Sequence, residues 1–136
     1  VSYVMRPVDE RLCRKTGHAT GSAVHELVRL RSGQGEPLMI ETSYLPVKRF
    51  PSLDIERLEN GSLYDFLTAA YGFEIHNARE TLRPVMPLPQ EKELLQITGT
   101  LPCILLERFT YENGACAEYT KSIVRGDKYI FSVELK

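Results

Sequence analysis

With 136 residues, 43% of them apolar and 26% charged, the chain is long enough to bury the core of one ordinary globular domain. Its formal net charge of −1, 17 basic residues against 18 acidic, excludes a segment that grips nucleic acid by itself, which needs a basic face to displace counterions. Three cysteines (Cys13, Cys103, Cys116) without a Cys-x-x-Cys spacing argue against a disulfide framework or a zinc site and fit a reducing cytoplasm, and no apolar run approaches the roughly 20 residues of a membrane helix.

No internal repeat or low-complexity tract divides the chain, so residues 1–136 are expected to form a single unit. In chain order, Asp9 to Lys15 after Pro7 predicts a short helix ending near Gly17. Ser22 to Arg31 alternates like a strand, Ser32-Gly33-Gln34-Gly35 reads as a hairpin loop, and Pro37 to Leu45 as the partner strand. Pro46 to Pro51 is a break. Ser62, with Asp65 three residues on, is placed to cap a helix whose apolar face is Leu63, Phe66, Leu67, Ala70 and Tyr71 and whose stop is Gly72.

Phe73 to Arg83 then predicts a strand, Pro84 to Pro89 a loop and Gln90 to Gln96 a short helix. Three strands follow, Cys103 to Tyr111, Ala115 to Arg125 and Lys128 to Leu135, the first two joined across the turn Glu112-Asn113-Gly114. The last of them, with Tyr129, Phe131, Val133 and Leu135 alternating, suits either core or interface. Hairpin-joined strands outnumber helices, which predicts an α+β class with a mostly antiparallel sheet and flanking helices.

Arg29 and Arg31, two residues apart on a strand, project from one face roughly 6.6 Å apart. Two guanidinium forks at that spacing can hold one phosphate or carboxylate from two sides; the alternative is an exposed face whose arginines meet solvent. Glu41 lies on the partner strand, and Glu118 shares a face of the penultimate strand with Thr120, Ser122 and Val124. A glutamate turned inward among apolar neighbours must pair with an arginine or accept hydrogen bonds from a ligand, and the alternative for these residues is an ordinary surface ion pair. Ser62 opens a helix, where free backbone N–H groups favour an anion, and Tyr64 adds a hydroxyl.

Arg125-Gly126-Asp127 reads as a turn closed by its own Arg–Asp pair rather than as an adhesion motif. His18, His25 and His76 are scattered, with no metalloprotease spacing, no Gly-x-Ser-x-Gly elbow and no phosphate-cradling glycine loop. No catalytic residue, metal or cofactor is expected.

Taken together, these pieces resemble the UTRA domain, the effector-binding half of HutC-type GntR bacterial transcription regulators. The resemblance rests on Val28-Arg29-Leu30-Arg31, Gly35-Glu36-Pro37-Leu38 leading to Glu41, Tyr44-Leu45-Pro46, Phe50-Pro51 with Leu53, Gly61-Ser62-Leu63-Tyr64-Asp65-Phe66-Leu67 and Tyr71-Gly72. It resumes at Leu94-Leu95, Pro102, Leu106-Glu107-Arg108, Tyr111, Gly114, Glu118-Tyr119-Thr120 and Arg125-Gly126-Asp127-Lys128-Tyr129, so that it runs from about residue 20 to the end.

What the resemblance implies is a chorismate-lyase-like fold with a ligand cavity, a homodimer, and a small-molecule effector, with a phosphorylated sugar favoured. It implies phosphate ligation by Arg29, Arg31, Ser62 and Tyr64, and contacts to the sugar end by Glu41 and Glu118. Val124 departs from a tyrosine frequent among amino-sugar-phosphate sensors, which speaks against N-acetylglucosamine phosphate. DNA contact is expected only through a winged helix-turn-helix preceding Val1, and no membrane contact is expected. The alternatives are a small lyase of the same fold acting on a carboxylated ring, and a purely structural dimerisation module.

Overall fold

The computed structural model describes residues 2–135. Six strands form one antiparallel sheet in the order β1-β2-β3-β6-β5-β4: β1 Ser2–Pro7, β2 Ala23–Gly33, β3 Glu36–Pro46, β4 Asn77–Val85, β5 Cys103–Glu112 and β6 Ala115–Arg125. Four helices flank it: α1 Glu10–Thr16, α2 Ile55–Asn60, α3 Leu63–Tyr71 and α4 Pro89–Leu94. The class is α+β, as the hairpin pattern predicts.

Local chemistry sets the boundaries. Asp9 caps α1 by accepting from the Leu12 backbone N–H at 2.8 Å, and Gly17 closes it in the left-handed region. The β2–β3 hairpin turns on Gln34 and Gly35 and the β5–β6 hairpin on Asn113 and Gly114, all at positive φ, the pair of left-handed residues that matches strand twist. Ser62 Oγ accepts from the Asp65 backbone N–H at 3.3 Å, and Gly72 ends α3 at φ 62°. Leu63, Phe66 and Leu67 of the expected helix face are buried, whereas Ala70 is exposed.

The sheet has two differently covered faces. One carries α2 and α3 over Leu27, Leu45, Phe50, Phe66, Leu67 and Phe73. The other carries α1 over Val24, Tyr44, Phe109 and Tyr119, and Leu95 and Ile97 over Ile40 and Cys103. His25 is wholly buried between the Tyr3 hydroxyl (2.6 Å) and the Phe50 carbonyl (2.5 Å), a core histidine.

Two expectations need correction, and two elements, β1 and α2, have no counterpart in the sequence reading. Residues 128–135 form no strand: the alternating apolar residues have no neighbouring strand among the described residues of this chain. The strand expected from Phe73 begins only at Asn77, because the Phe73 N–H donates back to the Leu67 carbonyl (3.3 Å) and its ring packs edge-on to Phe50. β1 lacks a clean alternation, since it is an edge strand exposed along most of its length. α2 spans only six residues, so its signal reduces to the cap, Asp54 accepting from the Arg57 N–H at 3.2 Å.

Candidate functional site

Strand register assembles a polar surface beneath the α2–α3 turn. Across the sheet, Arg29 on β2 lies opposite Glu41 on β3, and Glu41 opposite Ser122 on β6. In the next row Ser43 faces Thr120, which faces Arg108 on β5; one row further Thr110 faces Glu118. All of these point to the side that α2 and α3 cover.

Arg29 is buried. Its Nη2 stands 3.6 Å from Glu41 Oε2, and its Nη1 donates to the carbonyls of Leu58 (3.3 Å) and Gly61 (3.2 Å) at the C-terminal end of α2. Burial pulls its guanidinium pKa down, and Glu41 works in the opposite direction. Arg31, half-exposed, reaches the other oxygen of the same carboxylate at 3.9 Å. The two arginines therefore share one face, as the strand spacing predicts, and in this structure also one counterion, Glu41.

Glu118 is fully buried and has four partners. The Tyr64 hydroxyl donates at 2.7 Å and the Thr110 hydroxyl at 3.1 Å; the Thr120 hydroxyl also donates, and Arg108 Nη2 lies 3.6 Å away. The Arg108 guanidinium lies 4.8 Å from the Tyr64 ring centroid, a cation–π contact. Burial first, then the charge of Glu118, push the Tyr64 phenol far above its ordinary value. Burial works against the charge on Arg108, but Glu118 and Tyr64 outweigh it and raise its pKa.

The structure thus brings Arg29, Arg31 and Glu41 into one cluster, and Tyr64 and Glu118 into a second. Ser62 joins neither cluster: it is exposed and its hydroxyl caps α3, while Arg29 holds the carbonyl of Gly61 just before it. Arg108, Thr110 and Thr120 complete the surface and were absent from the expected set. No local pattern marks Arg108, whose place beside Glu118 comes from the β5–β6 register. Val124 is buried on the same face of β6 as Glu118.

Chemically, the surface is rich in donors held by carboxylates. Two guanidinium nitrogens, Arg29 Nε and Arg108 Nε, are buried without a hydrogen-bond partner. Buried donors in that state cost roughly 1–3 kcal/mol each, which an acceptor-rich ligand can recover. Two clefts of about 400 Å³ lie elsewhere, one along His18, Pro46, Lys48 and Arg49 and the other along Ser22, Ala23 and Val47. Among the described residues no group of three or more His, Cys, Asp or Glu is placed to hold a metal ion, and no helix is long and apolar enough to cross a membrane.

A family model of the UTRA domain matches residues 1–130. The transcriptional repressor NagR of Bacillus subtilis is 30% identical over 96% of this chain and 54% of its own length. The mannosyl-D-glycerate transport/metabolism system repressor MngR of Escherichia coli is 26% identical over 93% of this chain and 53% of its own length. The chain therefore spans about half the length of the curated relatives it matches. Among solved structures, the effector domain of PhnF from Mycobacterium smegmatis superposes with a TM-score of 0.89 at 26% identity, covering 100% of this chain and 84% of that one.

Proposed function

Because the chain belongs to the UTRA domain family, the effector-binding domain of HutC-type GntR regulators, we propose that it senses a small anionic sugar derivative, with a phosphorylated sugar the favoured class. The observation that carries this reading is the pairing of three arginines with two glutamates on one sheet face under the α2–α3 turn. An anion entering that surface competes with Glu41 for Arg29 and Arg31, and hydroxyl or amino groups of the sugar meet the carboxylate that is released. MngR, whose name refers to a sugar linked to a carboxylate, is consistent with that chemistry.

Arg29 also supplies the route to a response. It holds the Gly61 carbonyl, and Gly61 leads into the Ser62 cap of α3. An anion that draws the guanidinium away loosens the α2–α3 turn, and by linkage whatever fixes that turn changes anion affinity by the same factor. In this reading residues 1–136 are one sensing unit acting as a homodimer in the cytoplasm, without a cofactor or catalytic residue. The regulator represses transcription through a separate DNA-binding domain. Val124 in place of a tyrosine leaves an apolar wall and disfavours an N-acetylated amino sugar.

A thermal-shift panel tests the proposal: glucose, mannose and glucosamine 6-phosphates, each beside its free sugar, together with chorismate. A compound at about 100 times its dissociation constant stabilises the fold by about 2.7 kcal/mol. A phosphate-dependent shift supports the reading. A shift with chorismate alone, followed by its turnover, replaces it with the lyase.

A further inference from the structure

The sheet face under α1 gathers charge that the site under α2 and α3 does not use. Strand register sets Lys121 on β6, Glu107 on β5 and Thr81 on β4 in one row across that face. Arg79 and Arg83 flank Thr81 on the same side of β4, since side chains repeat every two residues. α1 lies above this row and contributes Arg11, Arg14 and Lys15. Two clefts open between helix and sheet. The narrower, about 120 Å³, carries Arg11, Lys15, Arg83 and Lys121, and the wider, about 320 Å³, carries Arg14, Lys15, Arg79 and Arg83. Glu107 borders both together with Lys15 and Arg83, so the clefts meet at its carboxylate.

The charges in these clefts do not cancel. Six cationic side chains face two carboxylates, Asp9 and Glu107, in a chain whose formal net charge is −1. Asp9 is already engaged by the Leu12 N–H and by Arg6, while Arg14 is answered by Glu10 on its own helix. Lys15 and Arg83 share the buried Glu107, at 3.0 and 3.4 Å. Arg11, Arg79 and Lys121 form no ion pair among the described residues; Arg79 and Lys121 rest over the rings of Phe109 and Tyr44, at 4.7 and 6.0 Å. Like charges brought together repel, and a cleft lined by one sign draws counterions into it. An ammonium and a guanidinium carry more N–H donors than one carboxylate contact uses, so Lys15 and Arg83 can hold Glu107 and a second anion at once.

We infer that this face is a second anion site, for a small molecule carrying two adjacent phosphate groups. One phosphate sits in the narrow cleft against Arg11 and Lys121 and the other in the wide cleft against Arg79, with Lys15 and Arg83 bridging them beside Glu107. Two phosphates match two joined clefts; a single one leaves the cations of one cleft unanswered. The Tyr119 hydroxyl, donating to Glu107 at 2.5 Å, fixes the carboxylate while the two cations reach outward. The site lies under α1, across the sheet from the Arg29 that holds the α2–α3 turn, so it is independent of the effector reading.

Titration with inorganic pyrophosphate and with inorganic phosphate, in buffer free of divalent cations and followed by amide NMR shifts, tests it. Amides of residues 10–16 report the α1 face and those of residues 61–65 the α3 entrance, so the two faces are read separately. Pyrophosphate is expected to shift the α1 amides saturably, at least about tenfold more tightly than phosphate. Arg83→Ala, a side chain 61% exposed, and Lys121→Ala are each expected to weaken that binding at least about fivefold. Glu107→Gln removes the negative charge at the junction and is expected to tighten it at least about threefold, an effect that a merely structural carboxylate would not produce. Arg83→Ala decides if a less exposed variant fails to fold. Pyrophosphate shifts confined to residues 61–65, or none at millimolar concentration, overturn the second site. Equal affinity for phosphate and pyrophosphate overturns the two-phosphate ligand, and affinity unchanged in Arg83→Ala overturns the bridging role at Glu107.

Discussion

Arg29 donates to the carbonyl of Gly61 at 3.2 Å while facing Glu41 at 3.6 Å, so one buried guanidinium ties the sheet to the turn that launches α3. A surface ion pair contributes little, but a buried one leaves an uncompensated charge when one partner is removed. Arg29→Ala strips Glu41 of its buried counterion and frees the carbonyls of Leu58 and Gly61. It is expected to destabilise the fold by about 3 kcal/mol in urea unfolding, and Arg31→Ala, half-exposed, by under about 1 kcal/mol. Equal costs for the two would remove Arg29 from its role as a latch.

Glu118 organises four donors, and its variants should rank accordingly. Tyr64→Phe removes one hydrogen bond and is expected to cost about 1 kcal/mol. Glu118→Ala leaves the Tyr64, Thr110 and Thr120 hydroxyls and Arg108 without their acceptor, and is expected to cost about 4 kcal/mol. Chemical denaturation of the two variants checks the ranking, and with Arg108→Ala and Tyr64→Phe/Arg108→Ala added the double variant should show coupling, since both groups meet one carboxylate.

Acid should weaken the fold through Glu107 on the opposite face. This buried carboxylate accepts from the Tyr119 hydroxyl at 2.5 Å and lies 3.0 Å from Lys15 Nζ. Burial alone raises its pKa, but Tyr119, Lys15 and Arg83 outweigh burial and hold it below its ordinary 4.5. A carboxylate depressed in the folded state contributes stability that is fully present above the unfolded value and lost as pH falls through the folded value. Unfolding free energy should therefore decline below about pH 4.5, and Glu107→Gln should flatten that decline. A slope unchanged by Glu107→Gln assigns the acid sensitivity to other carboxylates.

Gly126 is required by space rather than by φ. A Cβ there would sit 2.1 Å from the Pro102 carbonyl oxygen, a backbone atom that also accepts the Gly126 N–H at 3.1 Å. Gly126→Ala must part β6 from the start of β5 and is expected to cost about 2 kcal/mol, read as a lower melting temperature. An unchanged melting temperature would show that the junction yields freely. The neighbouring Arg125–Asp127 pair, closed at 2.9 and 3.1 Å, is the structural turn that its sequence suggests.

The hairpins, the capped α1 and α3, and the shared face of Arg29 and Arg31 were legible because each is decided by residues close in sequence. Turn glycines, cap side chains and period-2 spacing act locally. Arg108 was not legible, because its part depends on register: only the β5–β6 pairing carries it toward Glu118 and beneath Tyr64. The extent of β4 was misread for a related reason, since Phe73 is drawn into the core by Phe50, a residue remote in sequence. Residues 128–135 read as a strand by pattern, yet a strand needs a neighbour, and pattern does not supply one. The Ser62 cap was legible for the same local reason, its hydroxyl accepting from the Asp65 N–H three residues on.

The most direct test of the account is calorimetric titration of the wild-type chain and of Arg31→Ala with the anionic sugar that gives the largest thermal shift. Arg31 is half-exposed and its loss is expected to leave the fold intact, so affinity reports the site alone. The account predicts at least about a tenfold weaker affinity for the variant, about 1.4 kcal/mol, with the free sugar binding neither protein. Equal affinity for wild type and variant, or equal binding of the free sugar, would contradict an anion site built on Arg29 and Arg31.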